Sequence, residues 1–466
     1  MSSSQIYKSE IFHDEVEVVP SSVAVPSNTL PHPGSPNLFP KVLAIINTLK
    51  TSKSSIGSLT QILTSTQGSC QLIRVLKNLS TEETKHFTTI TLPVIFDLAI
   101  LSLKYIQSPI PQLKMTTKGV VELTRRQVAG LLALSLLGFY TLPQTFRDVS
   151  IFPIVFFGGK VQATKLRAYI AYFDGILRFS KDDTALDDEI AKLDSTVDST
   201  KIENLKQSKV LDEIVVVERN VVKKFDFARS EVKVVGNVEV DDVGVIEDKQ
   251  GALEADFANK YIGGGVLNMG MVQEEILFLK CPESLVSLLL CEGMEDKDSI
   301  RMYNVIKYSD GEGYSHGYNT TKEVFSKKEK HDWTAFDALK GGDRKNGQYL
   351  PWGIERELHK VLSATERGAK ETEKTLPIFS TGKWGSGAYK GDMRLKFIIQ
   401  MCACALNGRD MIYNTFNDTP FGNEIREFVK VIRVNKPTVG QLYKYMVDHK
   451  SKGHFLDDFD NIPKSR

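Results

Sequence analysis

Cysteine is scarce in this chain. Five occur in 466 residues, Cys70, Cys281, Cys291, Cys402 and Cys404, an odd number at irregular spacings. That argues against a disulfide framework and points to a reducing compartment. Cys402 and Cys404 form C-x-C, but inside an apolar run, which reads as core. Excess charge of either sign is also lacking. Lysine and arginine total 59 against 58 acids, a net charge of +1. A surface that coats nucleic acid is therefore not expected, although a local pocket for one anionic ligand remains open. The N-terminus has no basic start and apolar stretch of a secretory signal,. The most apolar segment, Val128 to Leu142, is too short to span a bilayer comfortably and reads as a buried helix,. No metal-ligand cluster with convincing spacing is visible. The expectations are no cofactor, no metal, no membrane, no direct nucleic-acid partner and a monomer. No basic cluster marks a nuclear signal, so nucleus and cytoplasm both stay open.

What is present is globular: 41% hydrophobic and 25% charged residues, in a chain long enough for two or three domains. Residues 1–36 carry serines and prolines without a helical period and read as a flexible arm that docks in patches at most,. Residues 37–180 turn helical throughout. "ITLPVIFDLAILSLKYI" and "TKLRAYIAYFDGILRF" are amphipathic, and "TRRQVAGLLALSLLGFY" opens on a capping box, Thr124 with Gln127, and is stopped by Pro143,. Residues 181–212 are charged and poor in aromatics, a linker or surface excursion,. Beyond 213 the strand-like runs "EIVVVE", "EVKVVGNVEV", "VGVIED", "MYNVIKYS", "LPIFSTG" and "DMIYNTF" alternate with helical patterns. That alternation predicts an α/β domain over 213–466,.

Two glycine loops carry the chemistry of that domain. Gly263-Gly264-Gly265 lets backbone N–H groups converge on an anion, because no Cβ blocks approach,. "STGKWGSGAYKGD", Ser380 to Asp392, sits between a strand and a helix, like an anion nest capped by a helix N-terminus,. Neither loop has Walker A or Rossmann spacing. Eight residues after the triple glycine comes Gln273-Glu274-Glu275. Adjacent carboxylates diverge on a helix by about 100° and cannot flank one glycosidic bond. One would act as acid while the other binds, and crowding of like charge would raise one pKa.

Longer stretches are more specific. "DFANKYIGGGVLNMGMVQEEILFL", Asp256 to Leu279, resembles the signature of the poly(ADP-ribose) glycohydrolase family. "GVIEDKQGALEADFAN", "TGKWGSGAYKGDMRLK" and "YNTFND" are similar to further family segments in the expected order, over most of residues 240–450. The resemblance implies a macrodomain, a mixed sheet between helices, with the helical region as accessory domain. It implies hydrolysis of ribose–ribose O-glycosidic bonds in poly(ADP-ribose), releasing ADP-ribose, as part of polymer catabolism in the DNA damage response. Partners would be the polymer and ADP-ribosylated proteins. Carried onto this sequence, Glu275 is the proton donor and Glu274 holds ribose hydroxyls, with Gln273 beside them and Asn259 on the same ribose. Gly264, Gly265 and the run Gly385, Ser386, Gly387, Ala388 and Tyr389 wrap the pyrophosphate. Glu247 bonds the adenine, Phe416 packs on the adenosine and Tyr314 covers the ligand, with Tyr318 competing for that place.

Lys383 and Tyr389 depart from the family pattern, where a small polar residue and a phenylalanine are expected. Lys383 adds charge near phosphate or points to solvent. His316 reads as a loop residue, Trp384 as packing, and Asp256 and Asp392 as caps of backbone N–H groups. Near-zero charge fits a pocket gripping a polymer end, hence mainly exo action. The competing reading is a macrodomain that binds ADP-ribose or its polymer without cutting. A glycosidase or nucleotide-sugar enzyme with another substrate is a third.

Overall fold

A computed structural model of the chain describes residues 57–62, 72–140, 159–178, 208–321, 329–340, 347–372 and 376–449, with shorter stretches near both ends. Its centre is one mixed sheet of eight strands. In spatial order these are Gly119–Thr124, Ile214–Val221, Asp298–Ile306, Lys330–Ala335, Leu253–Asp256, Phe379–Gly382, Met411–Asn414 and Val238–Asp241. The last five run parallel to one another and the first three are joined antiparallel. Parallel strands need crossovers and are covered on both faces, which is why Leu253–Asp256, Phe379–Gly382 and Met411–Asn414 are buried at every position,.

The helical region is not all helix. Gly119–Thr124 pairs with Ile214–Val221 from Gly119 opposite Arg219 to Thr124 opposite Ile214, so the N-terminal region supplies the edge strand of the sheet. Thr124 then caps the Arg125–Leu136 helix with the expected box: its hydroxyl accepts from the Gln127 N–H at 3.2 Å, and the Gln127 side chain accepts from the Thr124 N–H at 2.9 Å. That helix stops at Leu136, where Gly138 turns left-handed, well before Pro143, which lies outside the described residues. The long apolar helix is a different one. Thr81–Tyr105 runs unbroken for 25 residues, and 67% of its most apolar window is buried inside the fold. Pro93 has no N–H to give, and the turn before it, Phe87–Thr91, takes π-helical spacing, with the Leu92 N–H reaching Phe87,.

Within the arm, Gln5–Lys8 and Glu15–Val18 pair with each other, and Thr29–Leu30 pairs with Ile110–Pro111. Of the charged excursion, 179–207 lies outside the described residues and Lys209–Asp212 is a short helix. "VGVIED" is not a strand: Ile246–Asp248 is a 3₁₀ turn. Cys281, Cys291, Cys402 and Cys404 are free and buried, as core placement requires. One apolar cluster joins Leu98, Leu131 and Tyr169 of the helical region to Ile262, Val266 and Met271 around the triple glycine. A second, on Phe397, Trp384 and Phe428, supports the other glycine loop. The two loops thus rest on separate cores.

Candidate active site

The five parallel strands end level with one another. Asp256 lies opposite Ala335, and Gly382, Asn414 and Asp241 form a row. Ligands of open α/β sheets bind beyond such carboxyl ends, where the connecting loops leave room. Asn259 follows Asp256, the second glycine loop follows Gly382, and Phe416 follows Asn414. Residues far apart in sequence meet there because their strands finish at the same edge.

The triple-glycine loop wraps the first turn of the Gln273–Lys280 helix. Glu274 accepts N–H bonds from Gly263 at 2.5 Å and Asn259 at 3.0 Å. Glu275 accepts from Gly265 at 2.5 Å and from Val272 at 2.8 Å. The two carboxylates leave the helix in different directions, yet the loop bends enough to touch both. Gly264 makes this possible. Its φ is +47°, and a Cβ there would overlap Glu274 Oε2 and Glu275 Oε1. Gln273 ties the helix to the preceding strand end, accepting from the Phe257 N–H at 2.8 Å and donating to the Ala255 carbonyl at 3.1 Å.

The second loop faces the first. The Asn259 side-chain amide donates to the Tyr389 hydroxyl at 3.3 Å, so the tyrosine in place of phenylalanine adds a bridge across the site. Burial raises the Tyr389 pKa, and the Asp337, Glu274 and Glu275 charges raise it further. Trp384 is packing, as expected. Its indole N–H donates to the Phe336 carbonyl at 2.9 Å, and the Lys396 ammonium lies 4.2 Å from its ring centre. Lys396 is buried and ion-paired with Glu357; burial and the Arg356 charge hold its pKa well below the usual lysine range. At Gly385, φ is +69° and a Cβ would strike Ala338, so this turn needs glycine. Ser386 is half-buried, while Gly387 and Ala388 stand exposed above it. Asp392 caps the next helix, accepting from Arg394 at 2.9 Å and Leu395 at 3.2 Å. Phe416 stands beside Gly382 with a left-handed backbone, φ +53°.

Lys383 neither reaches toward phosphate nor points free into solvent: its ammonium pairs with Asp418 at 2.6 Å. Glu247 lies at the far end of the Gln273–Lys280 helix, paired with Lys280 at 2.9 Å. Burial opposes its charge, and Lys280 nevertheless holds its pKa below the ordinary value. The two tyrosines separate clearly. Tyr318 is 5% exposed, packed over Gly311 at the Lys280 end, and burial pushes its pKa up to about 12. Tyr314 is 61% exposed, and its hydroxyl lies by the Gln273 backbone within the field of Glu275. His316 is an exposed loop residue.

Asp256 is the largest departure. It caps nothing: it is 0% exposed and neither carboxyl oxygen has a hydrogen-bond partner. Burial raises its pKa well above the carboxylate range, and the Glu275 charge raises it further,. Folded Asp256 holds its proton where the unfolded chain has lost it. The unfolded state then binds fewer protons, and stability falls as pH rises from about 4 toward the raised value. Asp256→Asn removes this term. The variant should gain in melting temperature relative to wild type progressively as pH rises above about 4; a difference that stays constant with pH contradicts the assignment.

Two further residues were not legible as site residues. Lys165 and Gln162, from the Lys160–Arg178 helix, reach the loop that follows the triple glycine. Their sequence signal is faint: a lysine and a glutamine on the apolar side of an amphipathic helix.

Comparison with known families agrees with this arrangement. The model described as poly(ADP-ribose) glycohydrolase, macro domain fold, matches residues 225–423, and the helical domain of the same family matches residues 79–188. The chain is 33% identical over 236 residues to poly(ADP-ribose) glycohydrolase 1 of Caenorhabditis elegans, covering 47% of this chain and 30% of that protein. It is 32% identical over 235 residues to poly(ADP-ribose) glycohydrolase 2 of the same organism, covering 46% of this chain and 47% of the relative. Probable poly(ADP-ribose) glycohydrolase 2 of Arabidopsis thaliana is 26% identical over 261 residues, 46% of this chain and 49% of that one. The chain thus spans less than half the length of each of these curated relatives. A macro fold and a helical domain of one family, in order along the chain and joined through a shared sheet and core, place this protein in the poly(ADP-ribose) glycohydrolase family.

Proposed function

We propose that the chain hydrolyses ribose–ribose O-glycosidic bonds in poly(ADP-ribose), mainly from the polymer end, with Glu275 as general acid and then base. The observation that carries this reading is the fixed Glu275 carboxylate. Both its oxygens accept backbone N–H bonds from the triple-glycine loop and the helix start, at the carboxyl edge of the sheet and facing the second glycine loop. A binding module needs the loops but has no use for an acid held this way.

The chemistry follows from one acid. Glu275 gives its proton to the oxygen of the leaving ribose as the C1″–O bond breaks, and positive charge develops on the remaining ring. The pyrophosphate of the same ADP-ribose unit, wrapped by Gly264, Gly265 and the Gly385–Tyr389 run, offsets that charge. Glu275, now a carboxylate, takes a proton from water as it adds to C1″, and the acid is restored. Glu274 and Asn259 hold the ribose hydroxyls, and their mutual bond keeps them in register. Exposed Tyr314 closes over the ligand from the Gln273 side.

The test is incubation of purified poly(ADP-ribose) with the full chain, resolving products by length over time. Free ADP-ribose from the first time point, with long polymer shortening gradually, is expected. Polymer bound but never shortened makes the protein a reader. Early mid-length fragments in place of ADP-ribose overturn the exo assignment.

A further inference from the structure

The helical domain reaches into the site through one buried cation. Lys165 is 0% exposed, and its ammonium donates to the carbonyls of Gly265 at 3.0 Å, Asn268 at 2.6 Å and Gly270 at 2.9 Å. An ammonium has three N–H donors, and here three carbonyls of one short loop meet them. The loop is closed on itself as well: the Asn268 and Gly270 N–H groups both donate to the Gly265 carbonyl, at 2.8 Å and 3.1 Å. Residues 265–270 therefore fold as a ring around the Lys165 ammonium.

The other side of that ring is the catalytic carboxylate. The Gly265 N–H donates to Glu275 Oε1, and a Cβ at Gly270 would overlap the same oxygen. Gly265 thus contacts Glu275 through its N–H and Lys165 through its carbonyl. Any shift of the ring about the ammonium moves the surface against which Glu275 rests.

We infer that Lys165 is a positioning residue for the reaction: from the helical domain it sets the loop that fixes the Glu275 carboxylate, so the accessory domain is part of the catalytic apparatus. This rests on the reading of Glu275 as the acid. Gln162 assists more weakly, through the Asn268 carbonyl at 3.3 Å and the Met269 sulfur. The second glycine loop, which also wraps the pyrophosphate in this reading, rests through Trp384 and Tyr389 on the other core.

The experiment compares wild type, Lys165→Met and Gln162→Ala as full chains. Lys165→Met should lower kcat on poly(ADP-ribose) about 100-fold, the effect of a catalytic group misplaced by an ångström, with KM changed less than about 3-fold. The alkaline limb of its kcat/KM profile should move up by about half a pH unit, because a positive charge has left the neighbourhood of the acid. Glu274, Asp256, Tyr314 and Tyr389 also face that carboxylate and are untouched by the substitution. Amide hydrogen exchange at 265–272 should accelerate at least about 10-fold. Gln162→Ala removes the weaker contact to the same loop and should lower kcat in the same direction but less, by about 3-fold. If Lys165→Met does not fold, Lys165→Gln, which keeps two donors without the charge, is read in the same way. Unchanged turnover and unchanged exchange in the lysine variant overturn the inference. So does a fall in turnover with an unmoved alkaline limb, which marks simple destabilisation. Exchange needs no activity, so a wild-type chain that releases no ADP-ribose sinks the proposed function and leaves Lys165 still testable.

Discussion

Glu275→Gln should abolish nearly all release of ADP-ribose, by about 10²- to 10⁴-fold, the range for loss of a general acid. Glutamine has nearly the same size but no proton to give. It also has one acceptor where the carboxylate has two. Two backbone N–H groups, of Gly265 and Val272, point at those two oxygens, so the variant must turn an NH₂ toward one of them. Some rearrangement of the loop is thus expected in addition to the loss of the acid. Calorimetric titration with ADP-ribose separates the two effects. Affinity within about 10-fold of wild type, with turnover gone, assigns the loss to chemistry. A variant that cuts as fast as wild type removes Glu275 from the mechanism.

Gly264→Ala should be nearly as damaging, for a steric reason. An alanine tolerates φ of +47° at a cost of about 1–2 kcal/mol,. The larger problem is its methyl, which overlaps one oxygen of each glutamate. Both side chains are buried and bonded to backbone, so neither has a free direction to retreat. Displacement by about an ångström costs on the order of 100-fold in rate, and the broken N–H bonds should lower the melting temperature as well. Gly387→Ala is the control for stability. A Cβ there meets nothing within 4 Å, and its unfolding free energy should change by no more than about 0.5 kcal/mol. Equal melting temperatures and equal turnover in Gly264→Ala and wild type would refute the packing argument.

The sequence was readable where chemistry and local geometry coincide in a short span. The triple glycine and Gln273-Glu274-Glu275 lie within thirteen residues, so a loop and a helix start are enough to bring them together. Thr124 and Gln127 form their capping box because such a box involves one turn of backbone,. Asp392 likewise caps the helix it precedes. "VGVIED" misled because β-branched residues signal strand on average, while this segment closes as a turn beside Ser380, whose hydroxyl donates to the Ile246 carbonyl at 2.7 Å,. The Gly119–Thr124 strand was hidden for a related reason. An edge strand is defined by its partner, and that partner begins ninety residues later.

By itself the sequence determined the two glycine loops, the adjacent acids, the succession of helical region and α/β domain, and the family they resemble. The resemblance rests on whole matched stretches; the rest are properties of composition, period and spacing, which the chain carries whatever it packs against. Only the tertiary structure decided that Asp256 is a buried carboxyl with a raised pKa, that Lys383 is tied to Asp418, that Tyr314 and Tyr318 stand at opposite ends of one helix, and that Lys165 holds the loop beneath Glu275. Each depends on desolvation or on a partner brought from far along the chain. Burial changes the energy of a charge by more than any neighbour in sequence can, and sequence alone does not say which charges will be buried.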